Sequence, residues 1–276
     1  MQLVFTSTIR GHEVEKVSRP NSQCYAAMLS DCSGGVSQEH YISRSVLEIV
    51  GKKVQISGFP WQKPNEIMTV GTSALTAKIL CMHHNSLLSR LDTTAKEFVV
   101  GLKSSYESAM KGVMANGTCE IRGDLLEKWL LKVLVGIFSL STRYQVPRDW
   151  IEMLFERKPW PALEGMHIFG APGAATWNFQ LLRIILVHKT GDPRSILGAK
   201  FGLGGLPFLL SFGKPRFHEA GIESLFRPGK IQVSQGLSVR EIQLLWPDQE
   251  KHVAMTLAIE RPNDGASDTP RAMVDV

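Results

Sequence analysis

The chain is poor in cysteine and holds no long apolar run, and each shortage closes off a class of protein. Four cysteines in 276 residues are too few for the dense framework of a disulfide-stapled secreted domain. The N-terminus lacks the basic, then apolar, then small-residue order of a secretory leader, so a reducing, cytoplasmic setting is expected. The longest apolar stretch, residues 129–140, is broken by Lys132 and falls well short of the roughly 20 residues that span a bilayer. No transmembrane segment and no membrane partner are expected. A strong excess of one sign of charge is lacking as well. The net +5 mildly favours an anionic partner such as nucleic acid, but up to residue 115 there are 12 Lys+Arg and 9 Asp+Glu, or +3, leaving +2 for the remainder. Charge therefore marks neither half as the binding half.

What is present suffices for a folded protein, since 43% apolar residues can bury a real core. The pattern predicts an α+β chain. Ser43 precedes a short helix with Val46, Leu47, Ile49 and Val50 at its apolar positions. Residues 53–59 alternate as a strand, residues 60–76 with their prolines, Asn65 and Gly71 predict a loop, and residues 77–80 a brief strand. From His83 the apolar positions fall at helical spacing through Leu102 and on toward Met110, with a break or new cap expected at residues 92–94. Residues 3–5 suggest a short strand in a polar lead-in. After an Asn116-Gly117 turn, Gly123-Asp124 caps a helix over residues 125–140 that is apolar nearly all round, as buried helices are. Beyond Pro147, short runs separated by Gly, Pro and Asn predict antiparallel strands, and Gly204-Gly205 a hairpin turn. The expected organisation is a first domain over residues 1–115, an α+β domain over 116–262 that offers a surface for a protein partner or an oligomer, and a disordered tail over 263–276.

The chemistry is concentrated in two short segments. Cys81-x-x-His84 places a thiol and an imidazole three apart at the start of a helix, on one face, which suits half of a tetrahedral zinc site. Cys24 and Cys32 can supply the other half, although seven intervening residues exceed the usual two to four. His83 is the rival of His84, and buried cysteines acting as small hydrophobes are the bland alternative. Asn85 lies about 100° further round the helix, away from His84. With Glu39-His40 brought near it, a carboxylate and a carboxamide can hold a hard divalent cation that completes its shell with water and phosphate. His40, on the opposite face of an extended segment from Glu39, has the near-neutral pKa that suits a proton acceptor.

The order Cys24…Cys32-x6-Glu39-His40-x-Ile42-Ser43-x-x-x-Leu47, followed by Leu80-Cys81-x-x-His84-Asn85, resembles the HNH endonuclease superfamily and its ββα-metal finger over about residues 24–92. It departs from the family's pattern in the wide first cysteine pair, in His84 where that branch carries Cys, and in Ser43 where it carries Pro. The resemblance implies an N-terminal ββα-metal core that cleaves DNA, with RNA as the other nucleic acid open to it. It implies His40 as general base, Glu39 and Asn85 as ligands of a catalytic Mg²⁺ or Mn²⁺, and Cys24, Cys32, Cys81 and His84 as ligands of a structural Zn²⁺. The alternative is a zinc-stapled nucleic-acid-binding or interaction module without catalysis.

Overall fold

The structure is a computed structural model that describes residues 23–275 apart from 64, 114, 142–143, 162–164, 171–174, 177–178, 190–191, 213–223, 236, 248–252 and 260–270. Strand β1 (Val36–His40) pairs antiparallel with β4 (Thr76–Cys81), with a slip in register between Ser37 and Glu39 of the kind that marks a β-bulge. Strand β4 runs directly into helix α2 (Met82–Met110). These three elements make a ββα unit. Between its strands the chain inserts α1 (Arg44–Val50), β2 (Lys53–Ser57) and β3 (Ile67–Gly71). After α2 come β5 (Gly117–Arg122), α3 (Gly123–Ser139) and α4 (Arg148–Leu154).

Among the described residues the elements that follow are strands: β6 (Gly165–Gly170), β7 (Ala175–Thr176), β8 (Leu181–Lys189), β9 (Asp192–Leu203), β10 (Leu206–Ser211), β11 (Ser224–Phe226), β12 (Pro228–Gln235), β13 (Ser238–Leu245), β14 (Val253–Ile259) and β15 (Arg271–Asp275). Seven strands form one sheet in the order β11-β6-β10-β9-β8-β2-β3, and six form another, β5-β13-β12-β14-β15-β7. Pairing is mainly antiparallel, with parallel ladders at β2/β8, β12/β14 and β5/β13. The fold is α+β. Helix α3 touches β6 and β10 of one large sheet and β5 and β13 of the other, which is why most of it is buried and why its sequence is largely apolar.

Several expectations need correction. Residues 67–71 are not loop, because Ile67, Met68 and Val70 can pair with β2 on its free edge while the turn-forming prolines precede them. Helix α2 does not break at residues 92–94. Thr93 and Thr94 return their hydroxyls to the carbonyls of Ser89 and Arg90 at 3.3 and 3.1 Å, and the Asp92 carboxylate is engaged by side chains instead of capping a new helix. The division at residues 115/116 is crossed by the sheets: β2 from the first part pairs with β8 from the second, and one hydrophobic core runs through both. Residues 271–275 of the expected tail form β15 against β14 and β7. The hairpin expected at Gly204-Gly205 does join β9 to β10, with φ of 63° and 92°. The suggested strand at residues 3–5 and the remaining tail residues, 263–270 and 276, lie outside the described residues.

Candidate metal centre and the adjoining acidic site

Three backbone hydrogen bonds bring the first cysteine pair to the second. The Tyr25 N–H donates to Ile79 O at 3.0 Å, the Met82 N–H to Gly35 O at 2.9 Å and the His83 N–H to Ser33 O at 3.3 Å. They bracket Cys24 and Cys32 against the end of β4 and the first turn of α2. A single 3-10 turn, Ala27–Leu29, closed by Ser30 with φ 64°, takes up the wide spacing between the two cysteines. As a result the Sγ atoms of Cys24, Cys32 and Cys81 lie 3.5, 3.6 and 3.1 Å from His84 Nδ1, and all four donor atoms fall within 4.8 Å of one another.

The donor set fits a tetrahedral ion. Bonds of about 2.3 Å to sulfur and about 2.0 Å to nitrogen require N···S separations of about 3.5 Å. The imidazole is oriented for the task, because His84 Nε2 meets Asp31 Oδ1 at 2.8 Å. A proton on Nε2 leaves the Nδ1 lone pair to face the sulfurs, the arrangement typical of a metal-ligating histidine and its supporting carboxylate. Burial holds the His84 pKa below the ordinary value against the opposing pull of Asp31, so the ring is neutral, as a ligand must be. Asp31 is itself held by the Arg157 guanidinium, which also donates to Leu29 O at 3.1 Å. The Phe155 ring closes on His84 at 4.8 Å.

The thiols differ. Burial pushes Cys24 up to about 12. At Cys81 burial acts in the same direction, but hydrogen bonding from the backbone of His84 and Ser33 and from the neighbouring thiols outweighs it and lowers the value. Cys81 is the N-cap of α2, its sulfur accepting the His84 N–H, and a helix N-terminus favours a thiolate. His83 stands beside His84 with ring centroids 5.3 Å apart and is not one of the three-sulfur group.

The second constellation adjoins the first. Asn85 sits in the first turn of α2 and donates from Nδ2 to Ser37 Oγ at 3.1 Å. Ser37 and Glu39 share a face of β1, and the Asn85 amide reaches the Glu39 carboxylate as well. Burial raises the Glu39 pKa, while Lys132 and then Asn85 oppose the rise. Glu39 and Asn85 are therefore side by side, a carboxylate and a carboxamide of the types that a hard divalent cation takes, with the Lys132 ammonium on that same carboxylate. His40 ends the strand, half-buried and paired with Thr76. Burial, then Arg44 and Lys132, lower its pKa, leaving a neutral ring able to accept a proton. Arg44 itself pairs with Glu48 at 2.8 Å on the exposed side of α1.

Three residues complete this second constellation that no motif in the sequence assigns to it. Lys132 of α3, 1% exposed, places Nζ 2.6 Å from Glu39 Oε1 and 2.7 and 2.8 Å from the two oxygens of Asp92. Asp92 also accepts from Ser43 Oγ, to which Trp129 Nε1 donates at 2.6 Å. The Tyr25 hydroxyl is buried without a hydrogen-bond partner among the described residues, near enough to Glu39 and Asp92 that their charge adds to burial in raising its pKa. Two signals pointed to Lys132 and Asp92. A lysine inside an apolar helix needs a buried counter-charge, and Asp92 lies two turns beyond Asn85 on the same face of α2.

The other described histidines stand apart from the metal cluster. His167 meets Gly165 O at 3.1 Å and His188 stacks on Tyr144, while residues 218 and 252 lie outside the described residues. Arg227 pairs with Glu127 at 3.3 Å and lies over the Trp246 ring, whereas residue 216 is not described. Among the described residues no helix is long and apolar enough to cross a membrane. No protein-family model matches the chain, no curated protein does and no solved structure does, so nothing outside the chain identifies it as a member of the HNH superfamily.

Proposed function

We propose that this chain is a zinc-stapled, HNH-type endonuclease that hydrolyses phosphodiester bonds of DNA with a divalent metal. The observation that carries the reading is local: Glu39 and His40 end strand β1 while Asn85, in the first turn of α2, lies against Glu39. Cys24, Cys32, Cys81 and His84 hold a structural Zn²⁺ that ties β4 and α2 to the segment before β1. Glu39 and Asn85 hold Mg²⁺ or Mn²⁺, which when bound supplies Lewis-acid stabilisation of the charge on phosphorus and its leaving oxygen. His40 takes the proton from the attacking water.

A second reading has its own support. The Glu39 carboxylate is buried and already paired with Lys132, which suits a nucleic-acid-binding or interaction module in which the acidic site is structural. A plasmid-nicking assay with Mg²⁺ or Mn²⁺ separates the two. Wild type is expected to nick, and His40→Ala to fall at least about 100-fold, the usual contribution of a general base. Equal activity in both proteins, or none in either, sinks the nuclease reading.

A further inference from the structure

The Glu39 carboxylate already has a cation. An ammonium buried in an apolar helix is strongly unfavourable unless it is paired and its hydrogens are satisfied. Lys132 has three donors, and its contacts at 2.6, 2.7 and 2.8 Å reach one oxygen of Glu39 and both of Asp92. Asp92 is kept in place by Ser43, and Ser43 by Trp129 on the same helix as Lys132, one turn earlier. The lysine is thus braced in front of Glu39 by two elements, α2 and α3. A divalent ion arriving at Glu39 and Asn85 meets a fixed positive charge on that same carboxylate. Even at the dielectric constant of water, repulsion between a dication and an ammonium about 5 Å apart is worth roughly tenfold in affinity.

We infer that Lys132 is a tethered competitor of the divalent cation, holding the Glu39 carboxylate in the free protein so that metal is bound firmly only together with an anionic phosphate. The inference rests on the assignment of Glu39 and Asn85 as metal ligands made above. An incoming phosphodiester supplies both the negative charge that offsets the ammonium and oxygens for the metal's shell, so metal and substrate each raise the other's affinity. Free Mg²⁺ alone does not arm the site.

The test is Mn²⁺ binding to the zinc-loaded full chain without nucleic acid, read from the electron paramagnetic resonance signal of free Mn²⁺. Wild type is expected to bind weakly, with a Kd of about 1 mM or above. Lys132→Met is expected to bind at least about tenfold more tightly, and adding Glu39→Gln should abolish the gain. Should the single variant fail to fold, Lys132→Met/Asp92→Asn removes the ammonium together with one of its carboxylates, and the same gain is expected. Equal affinity in wild type and the lysine-free protein overturns the inference, as does a gain that survives Glu39→Gln. Tighter Mn²⁺ binding without nicking in any variant leaves the inference standing and sinks the nuclease. Nicking that depends on His40, with no gain in Mn²⁺ affinity, does the reverse.

Discussion

Asp31 stands one residue before Cys32 and links the metal cluster to the helical side of the molecule, with one oxygen on His84 Nε2 at 2.8 Å and the other on Arg157. Its role as a support for a ligand carries a measurable consequence. Under the zinc assignment proposed above, Asp31→Ala is expected to weaken zinc retention by about 10–100-fold, the usual cost of losing a carboxylate behind a ligating histidine, and Cys81→Ser to lose the metal outright. Metal analysis of the pure proteins and competition against a chromogenic chelator measure both, and an unchanged competition curve for Asp31→Ala shows the carboxylate to be idle. Residue by residue, the four members of the Cys24/Cys32/Cys81/His84 cluster were named from type, spacing and resemblance, and they do lie together. Asp31, Asp92 and Lys132 were not assigned, because a carboxylate or an ammonium acquires its role from whatever packs against it, and their partners lie 53, 40 and 93 positions away.

Among the elements, β2 does most to lock the inserted segment to the rest, since it carries β3 on one edge and β8 on the other. Gly58 follows it with φ +82°, and a Cβ built there would lie 1.7 Å from the Ile184 carbonyl oxygen of β8. The clash is with backbone, and the conformation is one that L side chains adopt at a cost. Gly58→Ala is therefore expected to destabilise the protein by ~2 kcal/mol or more, read as a lower denaturant midpoint at unchanged slope. A midpoint equal to wild type would mean that the β2/β8 junction gives way freely. Periodicity located α1, α2 and α3 within a residue or two, because apolar spacing reports burial directly. It did not locate β3, whose side chains are largely exposed, and it placed a break in α2 where Asp92 is in fact held by side chains from other elements.

Across the whole molecule, Glu127 connects α3 to both the Met166 N–H of β6, at 2.7 Å, and Arg227, so its ionisation bears on global stability. Burial pushes its carboxyl from 4.5 to about 7, with Arg227 and the Met166 N–H acting against the rise. Between those pH values the folded chain keeps a proton that the unfolded chain has released. Unfolding there frees a proton, so this group's contribution falls as pH rises from about 4.5 to 7 and is level above. Relative to Glu127→Gln, wild type is expected to lose ~3 kcal/mol over that window, measured by urea unfolding at a series of pH values. His167, drawn down to about 4 by burial, contributes with the opposite sign below pH 6.5 but is common to both proteins. A difference between the two that stays constant with pH rules out the shift.

Residue type and spacing determined the α+β class, helices α1, α2 and α3, and the Cys81-x-x-His84 pair, because apolar periodicity and short-range residue pairs are local properties of the chain. Tertiary structure decided the rest. It brought Cys24 and Cys32 to the α2 N-terminus through backbone bonds no motif encodes, and it merged the two expected domains through β2 and β8. Above all it set Lys132 on Glu39, since which charge a buried carboxylate faces depends on how a helix packs against a strand distant in sequence.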